Sequence, residues 1–260
     1  GKYGPDVTCD FVVDFMRRHS AHPFLVYYPM ILPHAPFVPT PAGSPPLEER
    51  VSRERTHYVD MVGYVDFLVG RVVSGLEDLG LRENTVLIFT CNNGSPRSIL
   101  SRMGDIEVVG NKGFTTDTGT HVPLIVSRPG TVAAGQVCED LIDFTDFLPT
   151  LLHVSGLPQP GGLDLDGRSF LPQILGRKGD PREWIFCHYD PRWGEWTLKR
   201  FARTKEMKLY ADGSLFDLRT DPNEESPLDP EDMDRETLNV RARLQRVLDS
   251  MVEVPGEQTH

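Results

Sequence analysis

No stretch of this sequence is apolar for long enough to cross a membrane, no Cys-x-x-Cys pair occurs, and positive charge is in deficit rather than surplus. The first absence excludes a helical span, which needs about 20 consecutive apolar residues. The second excludes a zinc ribbon and a thioredoxin-type redox pair, because Cys9, Cys91, Cys138 and Cys187 lie far apart. Free, mostly buried thiols are the expectation. The third, a net charge of -11, argues against a general nucleic-acid binder, which needs a basic surface. No basic-then-apolar leader is visible. The opening Gly1-Lys-Tyr-Gly-Pro5 has no initiator Met and reads as the start of a processed or truncated chain.

What is present is a chain of 260 residues, enough for one large domain or one domain with a small appendage. Its 22 prolines and 23 glycines predict many turns and shaped loops. The stretch Asn84 to Arg97 organises the rest. Val86 to Thr90 is a continuous β-branched and aromatic run without alternation, which suits a strand buried on both faces of a parallel sheet. It runs into Cys91-Asn92-Asn93-Gly94. In open α/β sheets ligands bind beyond the carboxyl ends of strands, so two amides there are placed to offer oxygen to a metal or substrate. On spacing alone a simple turn is the favoured reading of Asn-Asn-Gly, since turn chemistry is common and amides are weak metal ligands.

Upstream, Asp6 to Arg18 has helical spacing through Val7, Phe11 and Phe15 and through Val12 and Met16. Phe24 to Tyr28 reads as a second buried strand, followed by a loop, Pro29 to Pro41, whose prolines forbid regular structure. Glu48 to Leu79 carries the longest apolar stripe, and Gly80 stops it. Strand, helix and strand make a βαβ unit, hence a parallel sheet. Downstream, Leu124 to Ser127 reads as a short buried strand. Leu141 to Val154 reads as a helix that Pro149 should bend or break. Pro158 to Gly167 is a Gly- and Pro-rich connector. From about Pro181, short alternating segments (183–188, 196–204, 207–210 and 215–218) predict a small antiparallel sheet, and Arg235 to Val252 a closing helix. The predicted architecture is α/β: a mostly parallel sheet sandwiched by helices over 1–176, then a small antiparallel sheet plus helix over 177–260.

Four stretches carry a family resemblance: Phe24 to Pro39 with Leu32-Pro-His-Ala-Pro36; the long helix leading into Thr90-Cys-Asn-Asn-Gly94; Gly110 to Val126 with Asn111-Lys-Gly-Phe114; and Thr145-Asp-Phe-Leu-Pro-Thr150 running to Asp166-Gly-Arg-Ser-Phe170, with Lys208-Leu-Tyr210 and Leu215-Phe-Asp-Leu218 behind it. In this order they resemble the C-terminal two-thirds or so of a sulfatase, an arylsulfatase-like member of the alkaline-phosphatase-like superfamily. The resemblance implies that Asn92 and Asn93 fall where the family binds calcium through an Asp-Asn pair. Asn92 then replaces a carboxylate and weakens the site. It implies that His34 and Lys112 contact the sulfate ester as catalytic and substrate-binding groups, with His121 a secondary substrate-side residue where many relatives have Arg. A protonated imidazole can bind a sulfate oxygen or protonate the leaving alcohol, and an ammonium stabilises charge developing on the transferred group. On residue type alone, a lone loop His or surface Lys is a solvated residue. Asp105 and Asp117 could each orient a cation, though turn or capping roles are the favoured reading; Asp146 and Asp166-Gly-Arg168 read as a helix cap or turn and a salt bridge.

The family nucleophile is a formylglycine made within a Cys/Ser-x-Pro/Ala-x-Arg motif. None of the four cysteines fits that motif, nor do Ser44 or Ser95, and the N-terminal Asp-Asp metal pair is absent as well. The expectation is the C-terminal part of a calcium-assisted sulfuric-ester hydrolase, inactive as this chain alone. Its substrate would be a small sulfate ester or a sulfated glycan, and its partner a missing N-terminal segment or a second copy. The alternatives are a non-catalytic, sulfatase-derived anion- or partner-binding protein and a phosphodiesterase or phosphonate hydrolase of the same superfamily. The family is often periplasmic, secreted or lysosomal; the sequence does not choose among these.

Overall fold

The computed structural model describes residues 2–41, 53–192 and 198–251. Residues 48–52, 196–197 and 252, which belong to the predicted long helix, strand and closing helix, lie outside them. The chain divides into two units. The first comprises Gly1–Thr90, Pro96–Gly110 and Pro123–Ala134; the second comprises Cys91–Ser95, Asn111–Val122 and Gly135–His260.

In the first unit, helix α1 (Gly4–Arg18) starts with Pro5 in its first turn, where the missing N–H costs nothing, and has Asp6 there and Arg17 and Arg18 in its last turn. It packs on α2 (Arg53–Asp78). Cys9, Val12 and Met16 meet Met61, Tyr64, Val65, Leu68, Val72 and Leu76 in one core. Gly75 permits the approach, since a Cβ there would lie 3.2 Å from a Val13 methyl. The Tyr64 hydroxyl donates to both Asp6 oxygens at 2.8 and 2.9 Å. Of the predicted apolar stripes, Val7, Phe11 and Val62 are exposed. Gly80, at φ +67, ends α2 as its sequence position requires.

Strand β1 (Leu87–Thr90) is half-buried along its length. Strands β2 (Leu100–Met103) and β3 (Ile106–Val109) form an antiparallel hairpin, and β4 (Leu124–Ser127) pairs with β1. The β1–β4 pair is also antiparallel, with Leu87 opposite Ser127 and Thr90 opposite Leu124. The predicted parallel sheet is therefore not formed: every strand pair among the described residues is antiparallel. Phe24 to Tyr28 takes part in no ladder among them. Instead Phe24, Val26 and Tyr28 pack on the helical core while Leu25 and Tyr27 are exposed. An apolar run without alternation reports burial and not strand direction, and so fits either pairing.

The second unit is built on the predicted antiparallel sheet, in the order β5 (Ile185–Tyr189), β6 (Lys199–Arg203), β7 (Met207–Tyr210) and β8 (Leu215–Asp217). One face, with Ala202, Met207, Leu209 and Leu215, packs on Leu244, Val247 and Leu248 of α6 (Arg235–Ser250). Each large apolar side chain so buried is worth about 1.5–3 kcal/mol. Asp234 caps α6 by accepting from the Thr237 amide at 2.8 Å. The other face carries Phe201, Tyr210 and Phe216. The second unit also holds the single turns α3 (Asp117–Thr120) and α5 (Leu171–Ile174) and the helix α4 (Phe147–Val154). The helix predicted from Leu141 begins only at Phe147, and Pro149 does not break it. A 3-10 turn (Phe144–Asp146) precedes it, so Pro149 falls in the first α-turn, where no amide is needed.

Asp146 is 1% exposed and does what a buried carboxylate must: it accepts from the Asp143 amide, from the Arg168 amide and from the Arg182 guanidinium. The salt bridge read at this position runs to Arg182; Arg168 pairs with Asp180 at the surface.

Candidate active site

Four of the five residues read as functional belong to the second unit. The segment Cys91–Ser95 and the loop 111–122 are held against each other by two backbone bonds: the Lys112 amide donates to Ser95 O at 2.9 Å and the Gly94 amide to Gly119 O at 2.9 Å. Contact is so close that a Cβ on Gly94 would stand 1.9 Å from Thr118 O, and one on Gly119 would stand 2.3 Å from Phe114 O. These glycines are there because backbone meets backbone. Asn93 and Lys112 thus stand on adjoining strips of chain. Asn92 is exposed, Asn93 and Lys112 are half-buried, and His121, just after α3, is exposed. Lys112 forms no ion pair among the described residues.

His34 belongs to the first unit, in the proline loop, and is exposed. Its amide donates to Ile31 O at 3.0 Å, and the peptide bonds before Pro33 and Pro36 are cis. Nδ1 lies 2.7 Å from Ala35 O. A carbonyl only accepts, so Nδ1 carries the proton and Nε2 is the nitrogen left for outside chemistry.

The residues do not make a calcium site by themselves. Calcium takes six to eight oxygens, with carboxylates setting the affinity. Asn92 and Asn93 bring amides, and the loop's own carboxylate, Asp117, is engaged by Arg203 at 2.5 Å. No cluster of three His, Cys, Asp or Glu suited to a metal occurs among the described residues.

Sequence reasoning missed what stands behind the loop. Lys208, in the centre of β7, is fully buried. Its Nζ donates to Thr115 O and to Glu224 Oε1, the latter at 2.8 Å, and sits 4.1 Å from the Phe201 ring centroid. Tyr210 donates to Glu224 Oε2 and lies 2.9 Å from Thr115 Oγ1. Burial pushes the Lys208 ammonium down, opposed by Glu224, and pushes the Tyr210 phenol up. Burial also raises the Cys187 thiol to about 11. Lys208-Leu-Tyr210 entered the sequence reading as part of the family resemblance and as an alternating strand, and neither says which face is covered.

The sulfatase family model matches residues 1–157, and the model of the N-sulphoglucosamine sulphohydrolase C-terminal region matches residues 109–253. The chain belongs to the sulfatase family. Steryl-sulfatase of Mus musculus is 28% identical over 257 residues, covering 84% of this chain and 40% of that protein. This sulfatase chain thus spans about two-fifths of that relative's length. Two solved structures share its fold. Ps i-CgsB, in complex with k-i-k-neocarrahexaose, superposes with a TM-score of 0.74 at 20% identity, over 95% of this chain and 54% of that one. A protein in complex with its substrate D-glucosamine-2-N,6-O-disulfate gives 0.60 at 24% identity, over 75% of this chain and 40% of that one. Among the described residues no helix is long and apolar enough to cross a membrane.

Proposed function

We propose that this chain is the C-terminal part, with 177–260 as its small subdomain, of an arylsulfatase-like hydrolase acting on a sulfate ester, a sulfated glycan being the favoured class. Lys112 and His34 would be its catalytic and sulfate-binding groups and His121 a secondary one. The observation that carries this is the placement of Lys112: a lysine with no ion-pair partner among the described residues, on a loop fastened to the Asn92–Ser95 segment. An ammonium so held stabilises charge that grows on the sulfate oxygens as the S–O bond breaks. His34, with Nδ1 occupied by Ala35 O, would use Nε2 to bind a sulfate oxygen or protonate the leaving alcohol. The nucleophile would come from a Cys/Ser-x-Pro/Ala-x-Arg motif, which these 260 residues do not contain. Alone, the chain would bind sulfate without turning over its esters.

Asn92 and Asn93 would supply at most part of a calcium site whose carboxylates come from elsewhere in a complete enzyme. Phe24 to Tyr28, unpaired and with Leu25 and Tyr27 71% and 87% exposed, would there join a larger, mostly parallel sheet sandwiched by helices. A missing N-terminal segment or a second copy would cover that edge. A non-catalytic anion- or partner-binding role is the second reading, favoured by an exposed amide at Asn92 where the family resemblance expects a carboxylate.

Titration of the chain with inorganic sulfate, followed by NMR, tests the reading. Saturable binding lost in Lys112→Ala is expected, with no hydrolysis of 4-nitrophenyl sulfate in the presence of calcium. Absence of binding, or binding indifferent to Lys112→Ala, refutes the assignment. Turnover abolished by Lys112→Ala refutes the claim that the chain alone is inactive. Phosphate binding more tightly than sulfate would favour a phosphodiesterase or phosphonate hydrolase instead.

A further inference from the structure

We infer that the face of the C-terminal sheet opposite α6 is a clamp that positions Lys112, and that Tyr189, Tyr210, Lys208 and Arg203 are positioning residues for the sulfate site. The inference deepens the proposed sulfate-binding role and rests on it. Side chains alternate along β5, β6 and β7. Ala202, Met207 and Leu209 pack on α6, whereas Tyr189, Arg203, Lys208 and Tyr210 project from the opposite face. All four reach one short length of chain. Tyr189 donates to Gly113 O at 2.9 Å, Lys208 to Thr115 O and Arg203 to Asp117 at 2.5 Å; the Tyr210 hydroxyl lies 2.9 Å from Thr115 Oγ1. Three strands thus grip residues 113, 115 and 117, immediately after Lys112.

The grip is itself braced. Glu224 joins Lys208 and Tyr210, and it does so from the left-handed region, at φ +61, where a side chain is disfavoured. From the other side backbone bonds tie the loop to the Cys91–Ser95 segment, Lys112 N to Ser95 O and Gly94 N to Gly119 O. An apolar sheet face covered by a loop would need none of these polar groups. Their convergence on alternate residues of one loop is what fixing a backbone beside a reacting group requires.

Tyr189→Phe and Tyr210→Phe remove only hydroxyls, so the fold should survive both, and Glu224 keeps Lys208 in each. Two readouts on the full chain test the clamp. The first is amide hydrogen exchange across residues 111–121, compared with β7 and α6. The second is the affinity for inorganic sulfate. The double variant should exchange about tenfold or more faster in the loop, with β7 and α6 unchanged, and should bind sulfate roughly fivefold more weakly for each hydroxyl lost. Unchanged loop exchange overturns the clamp. Equal acceleration in β7 and α6 also overturns it, because the tyrosines would then serve general stability. If the unaltered chain fails to bind sulfate, the sulfate reading falls while the exchange arm still decides whether the loop is clamped. If sulfate binds through Lys112 with the same affinity in both variants, the positioning role falls alone.

Discussion

Replacing Lys208 with Met should be among the most damaging single changes available in the second unit. Methionine matches the length of the lysine stem, so the packing between Phe201 and Tyr210 is largely kept and the charge is what is lost. The Lys208 side chain is 0% exposed and that of Glu224 4%, so Glu224 would be left as a buried carboxylate with only the Tyr210 hydroxyl to satisfy it. Breaking a buried pair from one side costs about 3–5 kcal/mol, because the stranded charge keeps its desolvation penalty. Thr115 O also loses its donor. Urea unfolding followed by tryptophan fluorescence reads the relevant unit, since Trp184 packs on the sheet core. Lys208→Met/Glu224→Gln removes both charges and should recover about 1–3 kcal/mol of the loss, the coupling expected of neighbours in one network. A loss below about 1 kcal/mol in Lys208→Met would refute the reasoning. So would a double variant less stable than the single one.

Other expectations follow from the same geometry. Arg182→Ala strands Asp146, which is 1% exposed, and should cost about 3–5 kcal/mol in urea unfolding; Arg182→Lys should restore little, since a lysine has no fork to reach both Asp146 oxygens. Gly94→Ala should weaken sulfate binding and speed exchange of the loop amides, because its Cβ would meet Thr118 O at 1.9 Å. With its thiol raised to about 11 by burial, Cys187 should react with a disulfide reagent at pH 8 far more slowly than exposed Cys138. Because burial penalises the thiolate, the folded state loses nothing while the thiol stays protonated; stability should be level up to about pH 9, the ordinary thiol range, and fall as pH climbs toward about 11. Calcium should leave the chain's melting temperature unchanged; a saturable rise would mean that Asn92 and Asn93 have found carboxylates the described residues do not reveal.

The C-terminal sheet was legible because its segments alternate and its turns are chemically marked. Ala211-Asp-Gly-Ser214 carries Gly213 at φ +94, as a tight connection between β7 and β8 requires. The α1–α2 pair was legible from helical spacing, though not which apolar residues it would leave outside: Val7 and Phe11 sit on the α1 face turned from α2. Strand direction was not legible. Val86 to Thr90 and Leu124 to Ser127 look like members of a parallel sheet because both are short and apolar, yet they pair antiparallel.

The harder case is Lys208. By residue type it belongs at the surface, and an alternating strand with one wet face would put it there. It is buried because residues 113–117 cover that face, and the cover comes from 93 positions away along the chain, at Thr115. A residue's neighbours in sequence carry no trace of such a cover. What the sequence does carry is a cost that has to be met: a buried ammonium needs an acceptor and a counter-charge, and Thr115 O and Glu224 supply them. Tyr210, Arg203 and Tyr189 repeat the pattern on the same face, each spending its polar group on the same loop. Polar groups that leave water to hold a backbone do so against their own desolvation, so their placement is explained by what the held segment must do. Here that segment begins one residue after Lys112.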